Sequence, residues 1–274
     1  MLPVTPLPRL HDEYEVDGQT VAAFARDGHA VVRGLASRDE LDAFGPELER
    51  VAYSRQRETR ALADRDTYSK AFLQMHNLWV HDPVVKAFVH ARRFAQVAAD
   101  LLGVEGVRLY HDQALFKEPG GGYTPWHQDQ TYWPLDTDRT ITMWMPLVDV
   151  PAEVGSMTFA SGSHRFGHLG AHGISDDTQR TLGDLIEERG FPLDTHGAME
   201  LGDATFHAGW TLHSAPENPT ALMRAVMTVI YYADGVDVGD VEHPIRKFDL
   251  AAWMPGCEPG GPAASHLNPV LYSR

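Results

Sequence analysis

The texture of the chain changes at Gly103, and this change restricts the possible folds more than any other feature. Beyond it, short runs rich in Val, Ile, Thr, Trp and Tyr alternate with Gly, Pro and Asp: VRLYHDQALFK, TITMWMPLV, SMTFASGS, DATFHAGW and RAVMTVIYYA. Branched and aromatic side chains fit a pleated surface, and the residues between the runs favour turns. Runs of this length and spacing predict an all-β sandwich or jelly roll over 104–233.

Ahead of Gly103 the period is helical. VAAFARDGHAVVRGL reads as a short helix stopped at Gly28, then a strand around Ala30-Val31-Val32. Ser37 followed by Glu40 has the spacing of a capping box, which satisfies free amides at a helix start. In HDPVVKAFVHARRFAQVAADLLG, Asp82 is the expected N-cap, Pro83 the first helical residue and Gly103 the stop of one helix. Its Val85, Phe88, Val89, Val97, Leu101 and Leu102 form an apolar stripe. Residues 1–17 read as an irregular lead-in. Residues 166–199, polar and rich in histidine, interrupt the strands, with a helix predicted near 176–189. An insertion of that length is either a lid over a site or decoration. From 234 the chain is rich in Gly and Pro and is expected to be irregular. The reading is one domain over 1–274: a helical front (1–103), a β core (104–233) and a tail (234–274).

Composition narrows the function classes. With 43% apolar and 22% charged residues in 274, a core of useful size is available. The formal charge of −15 and the absence of a basic cluster argue against nucleic acid, whose phosphates would be repelled. No stretch approaches the roughly 20 apolar residues of a membrane span, and the start has no apolar signal segment. Cys257 is the single cysteine, so no internal disulfide forms. The expectation is a soluble, cytoplasmic protein with a small-molecule substrate, acting neither on nucleic acid nor at a membrane.

TPWHQDQTYW, residues 124–133, places His127 two positions before Asp129. Alone this is weak, because 15 histidines among 38 acidic residues in 274 give about one or two chance matches. A hydrogen-bonded turn would explain it as well. The stretch GDATFHAGWTLHSAPENPTALMRAVMTVIYY, 202–232, changes the balance. It delivers His213 on a strand and Arg224 eleven residues later. A facial triad of two histidines and one carboxylate needs such a distant third ligand, and leaves three positions of an octahedral Fe(II) open. An arginine in a run as apolar as AVMTVIYY is costly unless paired. It either closes a core salt bridge or grips the far carboxylate of a metal-chelating dicarboxylate, for which the guanidinium fork is suited.

With these residues in view, the chain resembles the phytanoyl-CoA dioxygenase family of Fe(II)/2-oxoglutarate oxygenases. The resemblance runs through FARDGHAVVRGLASRDEL, FKEPGGGYTPWHQDQTYWPL, EVGSMTFASGSHRFGH and the His213–Arg224 block. It implies a mainly β double-stranded β-helix, the cupin-like jelly roll, with flanking helices. It implies Fe(II), 2-oxoglutarate and O2 as cofactor and cosubstrates, with His127, Asp129 and His213 as catalytic iron ligands. Arg224 would hold the C5 carboxylate of 2-oxoglutarate, Trp144 would line its pocket, and Thr124 and Gln113 match positions that contact it. The family often carries a hydroxyl residue two places after the distal histidine, where this chain has Ala215. Halogenating relatives replace the carboxylate ligand with a small residue; Asp129 argues against that branch.

The implied activity is oxidation of a C–H bond of a small molecule, hydroxylation first, in a natural-product tailoring step. Radical epimerisation, cyclisation and desaturation use the same cofactors and stay open. So do a zinc hydrolase built on the same ligands, which has no use for Arg224, and a non-catalytic jelly-roll binding protein, which needs no complete triad. An acyl-CoA would favour a basic patch that this sequence lacks. Trp126, Tyr132 and Trp133 read either as an apolar substrate wall or as core. His111, His168, His172, His196 and His207 read as hydrogen-bonded or exposed, Ser161 to Arg165 as a turn, and Tyr231 and Tyr232 as packing residues.

Overall fold

The computed structural model describes residues 7–151, 154 and 156–274. Residues 1–6 of the lead-in, and Glu153 and Gly155 of the EVGSMTFASGSHRFGH motif, lie outside them. Two antiparallel sheets face each other in the expected jelly roll. The larger runs in the order β1 (His29–Val32), β8 (Ala204–Ala208), β5 (Thr140–Pro146), β10 (Val226–Ala233), β3 (Gly106–Phe116) and β11 (Val270–Ser273), with β2 (Leu73–His76) also on β3. The smaller runs β4 (Thr124–His127), β9 (His213–Ala215), β6 (Thr158–Ala160) and β7 (Leu193–Thr195).

Alternation along the strands decides which side chains meet the site. Ile141, Met143 and Met145 of β5, Phe206 of β8 and Met227, Val229 and Tyr231 of β10 turn outward into the main apolar core. There they pack with α1 (Gly18–Asp27), α2 (Arg38–Arg55), α4 (Pro83–Val89) and α5 (Arg92–Leu102). The intervening residues turn inward. Register aligns Gln113, Thr228, Trp144 and Thr205 in one row across four strands, and His111, Ile230, Thr142, His207 and His29 in the next. Because the side-chain period is two, a one-residue slip would move either row out of the site.

Local signals explain most helix ends. Asp17 and Ser37 cap α1 and α2, the latter through the full capping box with Glu40, and Gly28 ends α1 at a φ of 81°. The stretch expected to be one helix from Asp82 to Gly103 is two. Asp82 accepts from the amides of Val84 and Val85, but the chain turns at His90–Ala91, where Ala91 has a ψ of 115°. That turn frees the Arg93 amide for the Leu10 carbonyl and sets Phe94 edge-on to Phe88 at 5.3 Å. The predicted helix in the insertion is α6 (Asp176–Arg189). The segment from 234, expected to be irregular, carries α7 (Pro244–Trp253) and β11, although 254–269 holds no helix or strand. Its Gly and Pro content hid the helical spacing of Ile245, Phe248, Asp249 and Trp253, all on one face.

Gly209, just past β8, is packed tightly against β5 and the turn that follows Asp129. A Cβ there would lie 2.3 Å from Thr140 Oγ1, 2.6 Å from Gln130 Oε1 and 2.7 Å from Trp133. Gly209→Ala is therefore expected to destabilise by about 1–3 kcal/mol through overpacking. A denaturation midpoint unchanged from wild type would contradict this packing.

Candidate active site

Strand pairing brings the two histidines together. His127 of β4 and His213 of β9 are direct cross-strand partners, with ring centroids 4.1 Å apart, and both are buried. The Nδ1 of His127 lies 2.8 Å from the Pro125 carbonyl and that of His213 lies 3.0 Å from the Thr211 carbonyl. A carbonyl only accepts, so each Nδ1 carries the proton and each Nε2 presents a lone pair. Both Nε2 atoms face Asp129 Oδ1, at 3.5 and 3.6 Å.

The larger sheet fixes the carboxylate. Asp129 follows β4 on a short 3-10 turn, 129–131, and its Oδ2 accepts from Thr142 Oγ1 at 3.0 Å and from His207 Nε2 at 3.1 Å. Oδ2 is thereby occupied and Oδ1 is left toward the two histidines. Burial pushes the Asp129 carboxyl up, but the surrounding imidazoles of His213, His127 and His207 outweigh it and hold it well below the usual range. Burial, reinforced by His127 and His207, pushes His213 well down. The result is one carboxylate and neutral imidazole, the forms a metal ion requires.

These three ligand atoms lie within 4.8 Å of one another, and they are the one such group of His, Cys, Asp or Glu among the described residues. Two imidazoles and one carboxylate on one side of a cavity suit Fe(II) with exchangeable positions facing the cavity. The chemistry of the donor set therefore fits the ion.

The triad opens into a cavity of about 440 Å³ lined by both sheets. Gln113, Thr124, Trp144 and Arg224 all border it. Arg224 lies two residues before the buried start of β10, tied by both backbone groups to Lys117 at 3.0 Å, with its guanidinium 5.2 Å from the Trp144 ring centre. Burial lowers its pKa to about 10, so it is still a cation at neutral pH. Gln113 Oε1 accepts from Gln74 Nε2 at 3.1 Å, and Gln74 in turn accepts from the Tyr68 hydroxyl at 2.5 Å. Gln74, on a strand the sequence reading passed over, thus orients Gln113.

The remaining candidates separate. Tyr132 and Trp133 border the cavity, whereas Trp126 packs with Leu182 and Ile186 of α6 on the far side of β4. Ile174 is the residue of the insertion that reaches the cavity wall among the described residues. His196 bonds His29 at 3.2 Å, and His168 and His172 are exposed, their rings 4.5 Å apart. Tyr231 packs in the main core and Tyr232 donates to the Ala263 carbonyl. His207 and His111 prove to border the cavity. The signal for His207 was its position in ATFHA, two residues from Thr205 and hence on the inward face.

The sequence profile of the Phytanoyl-CoA dioxygenase (PhyH) family matches residues 24–226. The chain is 30% identical over 259 residues to the ectoine dioxygenase of Sphingopyxis alaskensis, covering 82% of this chain and 80% of that protein. It is 23% identical over 194 residues to a probable alpha-ketoglutarate-dependent hypophosphite dioxygenase of Stutzerimonas stutzeri, covering 62% of this chain. That second match spans 64% of the relative's own length, under two thirds. In fold, the chain is similar to the epimerase SnoN from nogalamycin biosynthesis, solved with Fe3+, alpha ketoglutarate and nogalamycin RO. The TM-score is 0.75 at 24% identity, over 93% of this chain and 98% of that one. The chain belongs to the phytanoyl-CoA dioxygenase family. It is a dioxygenase of the Fe(II)/2-oxoglutarate class, with iron as cofactor and 2-oxoglutarate and O2 as cosubstrates. None of its helices is long and apolar enough to cross a membrane, among the described residues.

His207→Ala removes one of two donors that fix the Asp129 carboxylate. Loss of such a partner weakens metal binding by about 10–100-fold. Fe(II) titration under anaerobic conditions should show that loss; an unchanged affinity would mean that Thr142 alone orients the carboxylate.

Proposed function

We propose that this enzyme oxidises a C–H bond of a small molecule, hydroxylation being the simplest outcome, as a tailoring step in natural-product biosynthesis. His127, Asp129 and His213 are the iron ligands in this reading, and Arg224 anchors the C5 carboxylate of 2-oxoglutarate. The observation that carries it is the pairing, in one cavity, of a three-donor cluster with a buried arginine. Iron bound there supplies the activation of O2 and the removal of a hydrogen atom from the substrate. For hydroxylation, 2-oxoglutarate leaves as succinate and CO2, one oxygen atom entering succinate and the other the substrate.

The protein's own part is positional. The guanidinium of Arg224 offers a planar fork to the far carboxylate in a site removed from water, where such a pair is strongest. Trp144 stacks beside that fork, while Thr124 and Gln113 supply polar contacts along the cosubstrate. Ala215 supplies no hydroxyl near His213, so Thr124, its cross-strand partner, takes on more of that task. Asp129, held by Thr142 and His207, keeps its coordinating oxygen in place through turnover. Tyr132, Trp133 and the apolar face of α7 keep bulk water from the reacting carbon. Epimerisation, cyclisation and desaturation share the removal of a hydrogen atom and differ from hydroxylation in the fate of the substrate radical, and the likeness in fold to an epimerase keeps them as alternatives.

His127→Ala and Asp129→Ala should each abolish succinate formation from 2-oxoglutarate while leaving the circular-dichroism spectrum unchanged. Arg224→Ala should weaken 2-oxoglutarate binding by about 2–4 kcal/mol, as expected for loss of a desolvated charge contact. An unchanged dissociation constant in that variant would remove Arg224 from the cosubstrate site.

A further inference from the structure

Beyond the triad, the cavity continues into a chamber formed by α7, β2 and α3 (Thr67–Ala71). Its wall is aromatic. Trp253 stacks on His76, ring centres 5.0 Å apart and 22° from parallel, and meets His111 edge-on at 5.2 Å. Tyr68, Phe72 and Phe248 border the same space. Burial lowers His76 to about 4 and holds His111 well below its ordinary value, so both rings are neutral at physiological pH.

One carboxyl stands in this aromatic wall. Asp249, only 6% exposed, accepts from the Tyr110 hydroxyl at 2.9 Å and interacts with the Trp253 side chain. Both neighbours are neutral donors. No ion pair involves Asp249 among the described residues, and the mechanism above gives it no task. Burial pushes it up to about 7, which is the cost of holding a carboxylate in an apolar wall without a counter-charge.

A charge count over the cavity lining points the same way. Its carboxylates are Asp129 and Asp249, and its guanidinium is Arg224. A divalent iron and a 2-oxoglutarate dianion cancel each other, and Asp129 cancels Arg224. Asp249 is left over. A positive group near it would neutralise the chamber and lie against aromatic faces, which attract cations. The formal charge of −15 also favours approach of a cation over an anion.

We propose that this chamber selects a substrate bearing a protonated amine, with the Asp249 carboxylate as its counter-charge and the aromatic wall as its lining. The proposal rests on the oxygenase reading for the charges of the bound iron and 2-oxoglutarate. Asp249 is a specificity residue here: it places the substrate and takes no part in the chemistry.

The test uses the whole protein loaded with Fe(II) and 2-oxoglutarate without oxygen, near pH 8, and calorimetric titration with 1-naphthylmethylamine and 1-naphthylmethanol. The two probes differ only in amine against hydroxyl and are small for a cavity of about 440 Å³. The amine should bind at least about tenfold more tightly, as expected for a desolvated charge pair. Asp249→Asn, which can still accept from Tyr110, should abolish that preference. Equal binding of the two probes, binding of neither, or a preference that survives in Asp249→Asn would overturn the proposal. The wild-type comparison stands even if the variant does not fold. Visible absorbance of the same loaded sample separates the two readings. A 2-oxoglutarate charge-transfer band without amine preference refutes the amine alone, whereas absence of the band from iron-loaded protein refutes the oxygenase reading as well.

Discussion

The site depends on one arrangement: a carboxylate on a turn from the smaller sheet, held by two side chains of the larger. His127 and His213 are neighbours simply because β4 pairs with β9. Asp129 has no strand partner to hold it. Thr142 and His207, themselves paired across β5 and β8, reach over and fix one of its oxygens. The distance between the sheets therefore becomes a property of the site. The apolar packing of Met143, Phe206 and Met227 against the helices holds the larger sheet, and with it the donors to Asp129. Stability and the geometry of the site are coupled through these strands.

The cavity has two chemically different ends. Toward Arg224 and Trp144 it is narrow in chemistry, with one buried cation beside an aromatic ring and a few polar contacts. Toward α7 it is broad and aromatic, with a single acid. A common cosubstrate suits the first end and a particular substrate suits the second. α7 lies beyond the family match at residues 24–226, so the segment that shapes the second end is the one the family profile does not describe.

The sequence disclosed these parts unequally. The strand runs, the capped helices and α6 were legible because each is a local pattern: alternation, a cap residue, a stop glycine. His127, Asp129 and His213 stood out as a spaced pair with a distant third histidine, and Arg224 as a cation in an apolar run; the structure gathers all four around one cavity. His207 and Gln74 were hidden, since a histidine in a strand has many satisfied roles and only register shows which residue it meets. The break at His90–Ala91 was hidden because it serves contacts with Leu10 and Phe88, far or folded away in sequence. The tail misled for a simpler reason. Glycines before PIRKFDLAAW, and glycines and prolines after it, set the average composition, while the ten residues between them carry a helical stripe.

The central claim is that the His127, Asp129 and His213 cluster binds Fe(II) and that 2-oxoglutarate chelates it in this cavity. Its most direct test is the visible spectrum of anaerobic, Fe(II)-loaded protein as 2-oxoglutarate is added. The account predicts a weak charge-transfer band that saturates in the wild type and is absent from His213→Ala. Iron bound in the wild type with no band at any 2-oxoglutarate concentration would contradict it.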